Sequence, residues 1–365
     1  MQYQESVLAT IGNTPLIKLS RIAQPISATI LGKAECYNPG QSAKDRIALH
    51  MVEQAEKRGE LKPGATIVEA TSGNTGYSLA MIASLKGYGC VLTVTSKASQ
   101  EKLALLRSMG AEVIVCPADA EPDDPQSYYQ KALQLSREIP NAFYIKQNFN
   151  MDNSGAHYHT TGPEIWEQTG GKITHYVCCA GTGGTLSGTA QYLKEKNPNI
   201  KIIAVDAYGS VLAKYWQTGV FDKYEIYSYK IEGLGKTIIP DNVNFDVIDE
   251  FVKVTDKNSA LRTRELALKE GLLVGYSSGA AMECVFKNRR QLRPQDVVVV
   301  LFPDHGTRYL GKVYNDEGMK QHGFLDDEMP EDVSADEPSY RKQIKRIYQA
   351  YKRKYGKYLK QTLKM

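Results

Sequence analysis

The sequence predicts an α/β protein of two domains, with parallel-rich sheets covered by helices. Three observations support this fold class. Short strand-like runs alternate with longer helical patterns from residue 30 to 115 and again after Gly162, which is typical of right-handed βαβ units. Small-residue loops stand between strand-like and helix-like runs. The chain has 365 residues, and roughly 150 residues per domain favours two domains.

The first half of the chain begins this alternation with an extended run, residues 30–37, and a helical run, residues 45–59. Five elements continue it: strand 66–70, helix 75–87, strand 90–95, helix 99–109 and strand 112–116. A polar loop at 121–125 then opens another helix, and residues 142–147 are again strand-like. Strands separated by helices of this length indicate a parallel sheet with both faces covered.

The second half resumes the pattern after Gly162. Its predicted elements are helix 163–169, strand 175–180, helix 185–196, strand 201–206, helix 258–270 and strand 297–302. Residues 207–250 show no clear periodicity, and so long a stretch is usually a functional loop region. We expect a large domain from residues 1–44 and 148–325, and a small mobile domain from residues 45–147.

The net charge of +4 is unevenly distributed along the chain. An acidic linker is predicted at 326–338, since residues 326–337 hold seven acids, and residues 338–365 hold ten basic residues. The body is close to neutral, with 35 basic and 34 acidic residues in 1–325. A nucleic-acid-binding fold would carry its basic excess on the fold itself, so nucleic acid is an unlikely partner.

The basic segment 339–365 is predicted to be an amphipathic C-terminal helix with a tyrosine-rich stripe. Three interpretations stay open: it docks on the body or a second subunit, it binds an anionic surface or RNA, or it is a solvated helix.

The six cysteines show neither paired nor metal-ligand spacing, and we expect buried thiols in a reducing compartment. The first residues lack the layout of a secretory signal, and no apolar stretch reaches the roughly 20 residues of a membrane span. A cytoplasmic location without a membrane is therefore expected. His157 and His159 are two apart, a poor spacing for a metal pair. We expect structural histidines and no metal.

Lys44 is the candidate nucleophile. It lies in Ser42-Ala43-Lys44-Asp45-Arg46, between an extended run and a helical run. A lysine at such a junction can place its amine in a cleft, where burial lowers its pKa and lets it form a Schiff base. Alone, a Lys-Asp-Arg triplet is more often a solvated helix start, so the weight of this interpretation comes from two loops elsewhere in the chain.

Both loops follow a strand-like run and precede a helix. In Gly181-Thr182-Gly183-Gly184-Thr185, glycines let backbone N–H groups turn inward, and the helix N-terminus adds positive potential. This pattern favours a phosphate cup over a plain tight turn, and it has neither nucleoside-triphosphate nor dinucleotide spacing. Thr71-Ser72-Gly73-Asn74-Thr75-Gly76 has the same layout and suits a carboxylate, with Asn74 able to hydrogen-bond a phenolic oxygen. A third loop, residues 275–281, is better explained by close helix–sheet packing.

An amine nucleophile, a monophosphate cup and a carboxylate cup together indicate pyridoxal phosphate acting on an amino acid. The chain resembles the fold-type II pyridoxal-phosphate enzymes, the family of cysteine synthases and cystathionine β-synthases, over about residues 5–325. Five motifs carry the resemblance: Asn13-Thr14-Pro15-Leu16, Ser42–Arg46, Thr71–Gly76, Gly181–Thr185 and Ser277–Ala281. Segments 205–210, 232–235 and 308–316 look more similar to the cystathionine β-synthases.

The resemblance implies a tryptophan synthase β-like fold, pyridoxal 5′-phosphate as cofactor and a homodimer. It implies that Lys44 holds the cofactor and later moves the Cα proton, and that Asn74 meets the cofactor's 3′-oxygen. The implied phosphate-binding residues are Gly181, Thr182, Gly183, Gly184 and Thr185. The implied substrate-carboxylate residues are Thr71, Ser72, Gly73 and Thr75, with Gln147 close by.

The implied reaction is a β-replacement in sulfur amino-acid metabolism. Serine loses its hydroxyl and a thiol such as homocysteine adds, giving cystathionine. The nearest alternative is a cysteine synthase that uses O-acetylserine and sulfide. A non-catalytic scaffold or RNA-binding module is a third interpretation, and the presence of Lys44 and Asn74 speaks against it.

Two positions depart from the family pattern. Where the family usually places a serine near the ring nitrogen, this chain reads Pro303-Asp304-His305-Gly306, which leaves open whether Asp304, His305 or neither makes the contact. Lys236 follows Gly235, where cystathionine β-synthases often carry a tyrosine and cysteine synthases a small residue. The second substrate therefore stays open.

Overall fold

The structure is a computed structural model that describes residues 1–325 except Gln2, Ser72 and Pro122. The predicted acidic linker 326–338 and the predicted helix 339–365 lie outside the described residues. Within the described part of the chain, every helix is too short or too polar to span a lipid bilayer.

Ten strands and eleven α-helices make up this part of the chain. The strands are β1 (Leu16–Lys18), β2 (Thr29–Ala34), β3 (Thr66–Ala70), β4 (Gly89–Thr95), β5 (Glu112–Cys116), β6 (Ala142–Tyr144), β7 (His175–Cys179), β8 (Lys201–Ala207), β9 (Glu250–Val254) and β10 (Val297–Phe302). The helices are α1 (Lys44–Lys57), α2 (Asn74–Lys86), α3 (Gln100–Ser108), α4 (Tyr128–Glu138), α5 (Asp152–His159), α6 (Thr161–Gln168), α7 (Gly184–Lys196), α8 (Leu212–Thr218), α9 (Asp256–Glu270), α10 (Tyr276–Asn288) and α11 (Asp316–Gln321).

The larger sheet has six strands in the order β1-β2-β10-β7-β8-β9. All of its pairings are parallel except the one between β1 and β2. In β10, the five residues from Val298 to Phe302 are buried, as expected for a strand whose sheet is covered on both faces.

The smaller sheet has four parallel strands in the order β5-β4-β3-β6. The buried side chains of α1 and α2 pack against it in one hydrophobic cluster that includes Ile47, Met51, Leu79 and Leu92. Both sheets confirm the predicted α/β class with parallel-rich sheets. The proposed domain boundaries at residues 44 and 147 stay a prediction.

Several predicted elements need new bounds. The extended run 30–37 is too long, because β2 ends at Ala34 and residues Glu35–Tyr37 form a 3-10 helix. Glu35 turns inward there to accept hydrogen bonds from Thr14 and Arg46. Lys44 is the first residue of α1 rather than a residue before the helix. The short strand expected after the turn at residues 11–16 is β1, whereas strand β9 was not predicted from the sequence.

The parallel topology determines where the chemistry can occur. Loops after the carboxyl ends of parallel strands meet at one edge, which is where α/β proteins bind ligands. Thr71 follows β3, Gly181 follows β7 and Asp304 follows β10. These three residues line one cavity.

Candidate active site

A cavity of about 980 Å³ lies where these loops meet. It brings together eight residues that the sequence analysis selected: Lys44, Thr71, Gly73, Asn74, Thr75, Gln147, Gly181 and Thr182. Gly183, Gly184 and Thr185 are not among its lining residues. Ser72 lies outside the described residues.

Lys44 enters this cavity from the first turn of α1. Its backbone is anchored on the β10 end, because the Ala43 N–H donates to the Pro303 carbonyl over 2.8 Å and Ser42 bridges to Asp304. Within the described residues, the Lys44 amine has no hydrogen bond or ion pair. Burial lowers its pKa, although the Asp304 charge opposes that shift. A buried amine that is partly neutral can act as a nucleophile and as a base.

The glycine loop adopts a conformation that larger residues would not fit. Gly183 has a φ of +94°, and a Cβ there would lie 2.5 Å from a methyl of Val243 and 2.7 Å from its backbone nitrogen. Within the described part of the chain, the N–H groups from Thr182 to Thr185 have no acceptor. Because α7 begins at Gly184, these donors stand at a helix N-terminus and form an anion cup.

A buried histidine supports this cup from behind. His157 Nε2 lies 3.0 Å from Thr185 Oγ1, and its Nδ1 lies 2.8 Å from Thr161 Oγ1. Burial lowers the pKa of His157 well below its ordinary value, so the ring is neutral. The structural role expected for His157 therefore includes holding Thr185 in place.

The second loop connects to a buried acid. The Thr75 hydroxyl donates to Gln147 Oε1 over 2.6 Å, and the Gln147 N–H donates to Glu69 Oε2 over 3.3 Å. Burial raises the pKa of Glu69 to about 8, so this carboxyl keeps its proton at neutral pH. The sequence analysis missed Glu69, because nothing in the strand β3 pattern shows that its side chain faces this loop.

Asp304 and His305 have different surroundings. Asp304 lines the cavity, and its Oδ2 accepts hydrogen bonds from Asn74 Nδ2 at 2.8 Å and Tyr309 Oη at 2.7 Å. Its Oδ1 is buried with no partner within the described residues, and burial raises its pKa. His305 does not line the cavity, and its Nδ1 lies 2.9 Å from the Thr307 hydroxyl.

Comparison with known proteins gives the family. A family model described as pyridoxal-phosphate dependent enzyme matches residues 7–304. The chain belongs to the pyridoxal-phosphate dependent enzyme family. This membership confirms the family named from the five motifs and makes a non-catalytic scaffold the weaker interpretation.

Relatives within this enzyme family match this chain over most of its length. Cystathionine beta-synthase of Mus musculus is 42% identical over 325 residues, which cover 88% of this chain and 57% of that protein. The chain thus spans little more than half the length of that relative. The O-acetylserine dependent cystathionine beta-synthase of Bacillus subtilis is 38% identical over 309 residues, covering 85% of this chain and 97% of that protein.

A solved structure has the same fold. The crystal structure of a hydrogen sulfide-producing enzyme from Fusobacterium nucleatum matches with a TM-score of 0.77 and 36% sequence identity. The match covers 84% of this chain and 98% of that chain.

The cavity of this pyridoxal-phosphate dependent enzyme suits its cofactor in three respects. An unpaired lysine amine is available for the aldehyde, and unpaired N–H groups at a helix N-terminus are available for the phosphate. The carboxyl of Asp304 lines the cavity beside Asn74. It can accept a hydrogen bond from a protonated ring nitrogen.

Proposed function

We propose that this chain catalyses β-replacement on L-serine, with homocysteine as the incoming thiol and cystathionine as the product. The observation that carries the proposal is that the Lys44 amine, which has no partner among the described residues, shares one cavity with both predicted anion-binding loops. The name cystathionine beta-synthase on the mouse relative, at 42% identity, supports the choice of thiol. The reaction class is that of a hydro-lyase.

Bound pyridoxal phosphate supplies an aldehyde that captures amines and a ring that withdraws electrons from the substrate Cα. Lys44 Nζ is the group that would hold the aldehyde of the cofactor in the absence of substrate. With substrate bound, the Lys44 amine would take the Cα proton, because burial lowers its pKa and so favours its neutral form. Arginine could not replace it, since a guanidinium does not lose its proton.

The two loops bind the two anions. The N–H groups of the loop Gly181–Thr185 bind the phosphate. Thr71, Gly73, Thr75 and Gln147 bind the substrate carboxylate, and the family pattern adds Ser72 to that set.

Asn74 and Asp304 orient the cofactor ring in this proposal. The Asn74 amide meets the 3′-oxygen, and Asp304 rather than His305 faces the ring nitrogen. Asp304 supports that assignment because it lines the cavity and its Oδ2 is hydrogen-bonded to Asn74, which lines the same cavity. A carboxylate partner favours the protonated ring nitrogen.

Cysteine synthesis from O-acetylserine and sulfide is the second candidate. The relative from Bacillus subtilis, matched over 97% of its length, has O-acetylserine in its name. The identity of the leaving group and that of the incoming nucleophile therefore have to be determined separately. Both candidate reactions use the same cavity.

A two-by-two assay tests the proposal. Serine or O-acetylserine is combined with homocysteine or hydrosulfide, and the products are identified by mass spectrometry. We expect kcat/KM for serine with homocysteine to exceed that for O-acetylserine with hydrosulfide by at least about tenfold. The reverse order would assign cysteine synthase activity instead.

We further propose that the domain formed by residues 45–147 closes over the cavity when substrate binds. The homodimer and the cytoplasmic location stay predictions.

A further inference from the structure

A second, smaller cavity adjoins the active-site cavity. Its volume is about 250 Å³, and four residues line both cavities: Thr71, Gly73, Gln147 and Lys236. The remaining walls include Tyr128, Tyr129 and Asn148, none of which lines the larger cavity. We refer to this space, bounded by Tyr128, Tyr129, Asn148 and Lys236, as the polar annex.

The annex has a polar side chain that lacks a protein partner. Asn148 is only 5% exposed, and its Oδ1 is buried without a hydrogen bond in the described part of the chain. Leaving such an oxygen unpaired costs about 1–3 kcal/mol. The neighbouring rings of Tyr128 and Tyr129 pack against each other, with centroids 4.1 Å apart. Asn148 Oδ1 therefore calls for a donor from a ligand.

Lys236 is the cation of the annex. Its backbone is held on both sides, because its N–H donates to Ser210 Oγ over 3.0 Å and its carbonyl accepts from the Val211 N–H over 3.0 Å. Its amine forms no ion pair with any described residue. Burial, together with the nearby Lys44 charge, lowers its pKa to about 8. Part of the population still carries the positive charge at neutral pH.

Glu69 is close enough to influence the pKa of Lys236 but does not neutralise it. Glu69 lies behind Gln147, and burial raises its pKa to about 8. A carboxyl that holds its proton presents no negative charge to the annex. Among the described residues, the annex thus has a cation without an ion pair and an acceptor without a donor, which are complementary to the carboxylate and the ammonium of an α-amino acid.

We propose that the polar annex binds the amino-acid end of the thiol substrate, with Lys236 pairing with its carboxylate and Asn148 Oδ1 accepting from its ammonium. This inference rests on the proposed function, in which the carboxylate of the first substrate occupies the loop from Thr71 to Thr75. Hydrosulfide lacks both groups and leaves the annex unused. The annex would therefore determine the preference for homocysteine over sulfide.

The first test measures binding to the holoenzyme by calorimetry. The probes are 3-mercaptopropionate, which carries a carboxylate, and 2-mercaptoethanol, which does not. We expect Lys236→Met to weaken the binding of 3-mercaptopropionate by at least about tenfold, because one charge-assisted hydrogen bond is lost. The affinity for 2-mercaptoethanol should change by less than about twofold. Lys236→Arg keeps the charge and should keep the preference.

A matched control is Lys146→Met, which removes an equal charge beside Gln147 from an exposed residue that lines neither cavity. It should change neither affinity. Equal weakening of both probes by Lys236→Met, or no weakening of either, would overturn the proposal.

The second test uses kinetics. Lys236→Met and Asn148→Ala should each raise KM for homocysteine by at least about fivefold, with KM for serine and for hydrosulfide within about twofold. Asn148→Ala should leave 3-mercaptopropionate binding unchanged, because that probe has no ammonium. A rise confined to KM for serine would place Lys236 at the first substrate and overturn the assignment.

The two proposals can fail separately. If the wild-type enzyme makes no cystathionine but binds 3-mercaptopropionate through Lys236, the proposed function is refuted. The proposal of an anion site at Lys236 would still stand. A wild-type enzyme that makes cystathionine while Lys236→Met binds both probes normally would refute the annex alone.

Discussion

Two basic residues of α1, Lys44 and Arg46, lie two positions apart and have opposite surroundings. Arg46 Nε donates to Glu35 over 2.6 Å, and its other nitrogens contact Glu164 at 2.6 and 2.8 Å. Lys33 completes this cluster with a 2.6 Å bond to Glu164. The Lys44 amine has no such partner among the described residues. One buried cation is fully paired and its neighbour is not.

This difference separates Arg46, which stabilises the fold, from Lys44, which is available to react. Burial alone would lower the pKa of Arg46, but the Glu35 and Glu164 carboxylates raise it above its ordinary value. Its charge is therefore permanent, and it connects α1 to the 3-10 helix after β2 and to α6. Burial lowers the pKa of Lys44 without comparable compensation. An amine whose charged form is unfavourable can lose its proton and take part in the reaction.

Removing the unpaired amine should have the largest effect. We expect Lys44→Ala to reduce cystathionine formation by about 10³-fold or more, because it removes both the nucleophile and the base. Stability against urea should stay the same or rise, since a desolvated cation is lost. Lys57→Ala, at the exposed end of the same helix, is the control and should change neither quantity. Full activity of Lys44→Ala would refute the assignment.

Removing the paired cation should instead affect the fold. Arg46→Met removes the cation bonded to the buried Glu35 carboxylate and leaves Glu164 with Lys33 alone, and we expect it to lower the free energy of unfolding by about 3–5 kcal/mol. Arg58→Met breaks exposed ion pairs to Glu60 and Asp152 and should cost less than about 1 kcal/mol. Urea unfolding followed by circular dichroism measures both. Equal losses would mean that the buried cluster contributes no more than a surface pair.

The pH dependence of stability should have opposite signs in the two regions. Although burial opposes it, the Arg46 charge lowers the pKa of Glu35 to about 2 from 4.5. The stability contributed by the paired cluster is therefore lost as the pH falls from about 4.5 to about 2. Burial raises the pKa of Glu69 from 4.5 to about 8. The folded chain keeps that proton while the unfolded chain releases it, so stability falls as the pH rises from about 4.5 to about 8.

Glu69→Gln isolates the second effect. At pH 4 the variant should match the wild type within about 0.5 kcal/mol, because the carboxyl is largely protonated in both the folded and the unfolded chain. At pH 8.5 the variant should be more stable than the wild type by at least about 1 kcal/mol, because a shift of one pKa unit corresponds to roughly that free energy. Glu60→Gln, at an exposed glutamate, should show no difference that depends on pH. A Glu69→Gln difference that is the same at both pH values would contradict the raised pKa.

The local sequence pattern was sufficient to predict much of the fold. The predicted bounds of β3, β5 and β10 match the structure residue for residue, because each is a compact apolar run between turn residues. Strand β9 was missed because Glu250 and Lys253 leave it only a two-residue apolar run, and α8 because it spans only seven residues before Gly219. Lys44 and the two glycine loops were selected because short motifs carry their chemistry in consecutive residues.

The charge states were decided only by tertiary structure. Nothing in Lys44-Asp45-Arg46 shows that the third residue meets Glu164, 118 positions away, while the first meets no carboxylate in the described chain. The same holds for Lys236 and Asn148, which line one annex although they are far apart in sequence. The sequence alone determined which groups are present and which loops follow which strands. Packing decided which are paired, because desolvation and ion pairing depend on residues brought together from distant parts of the chain.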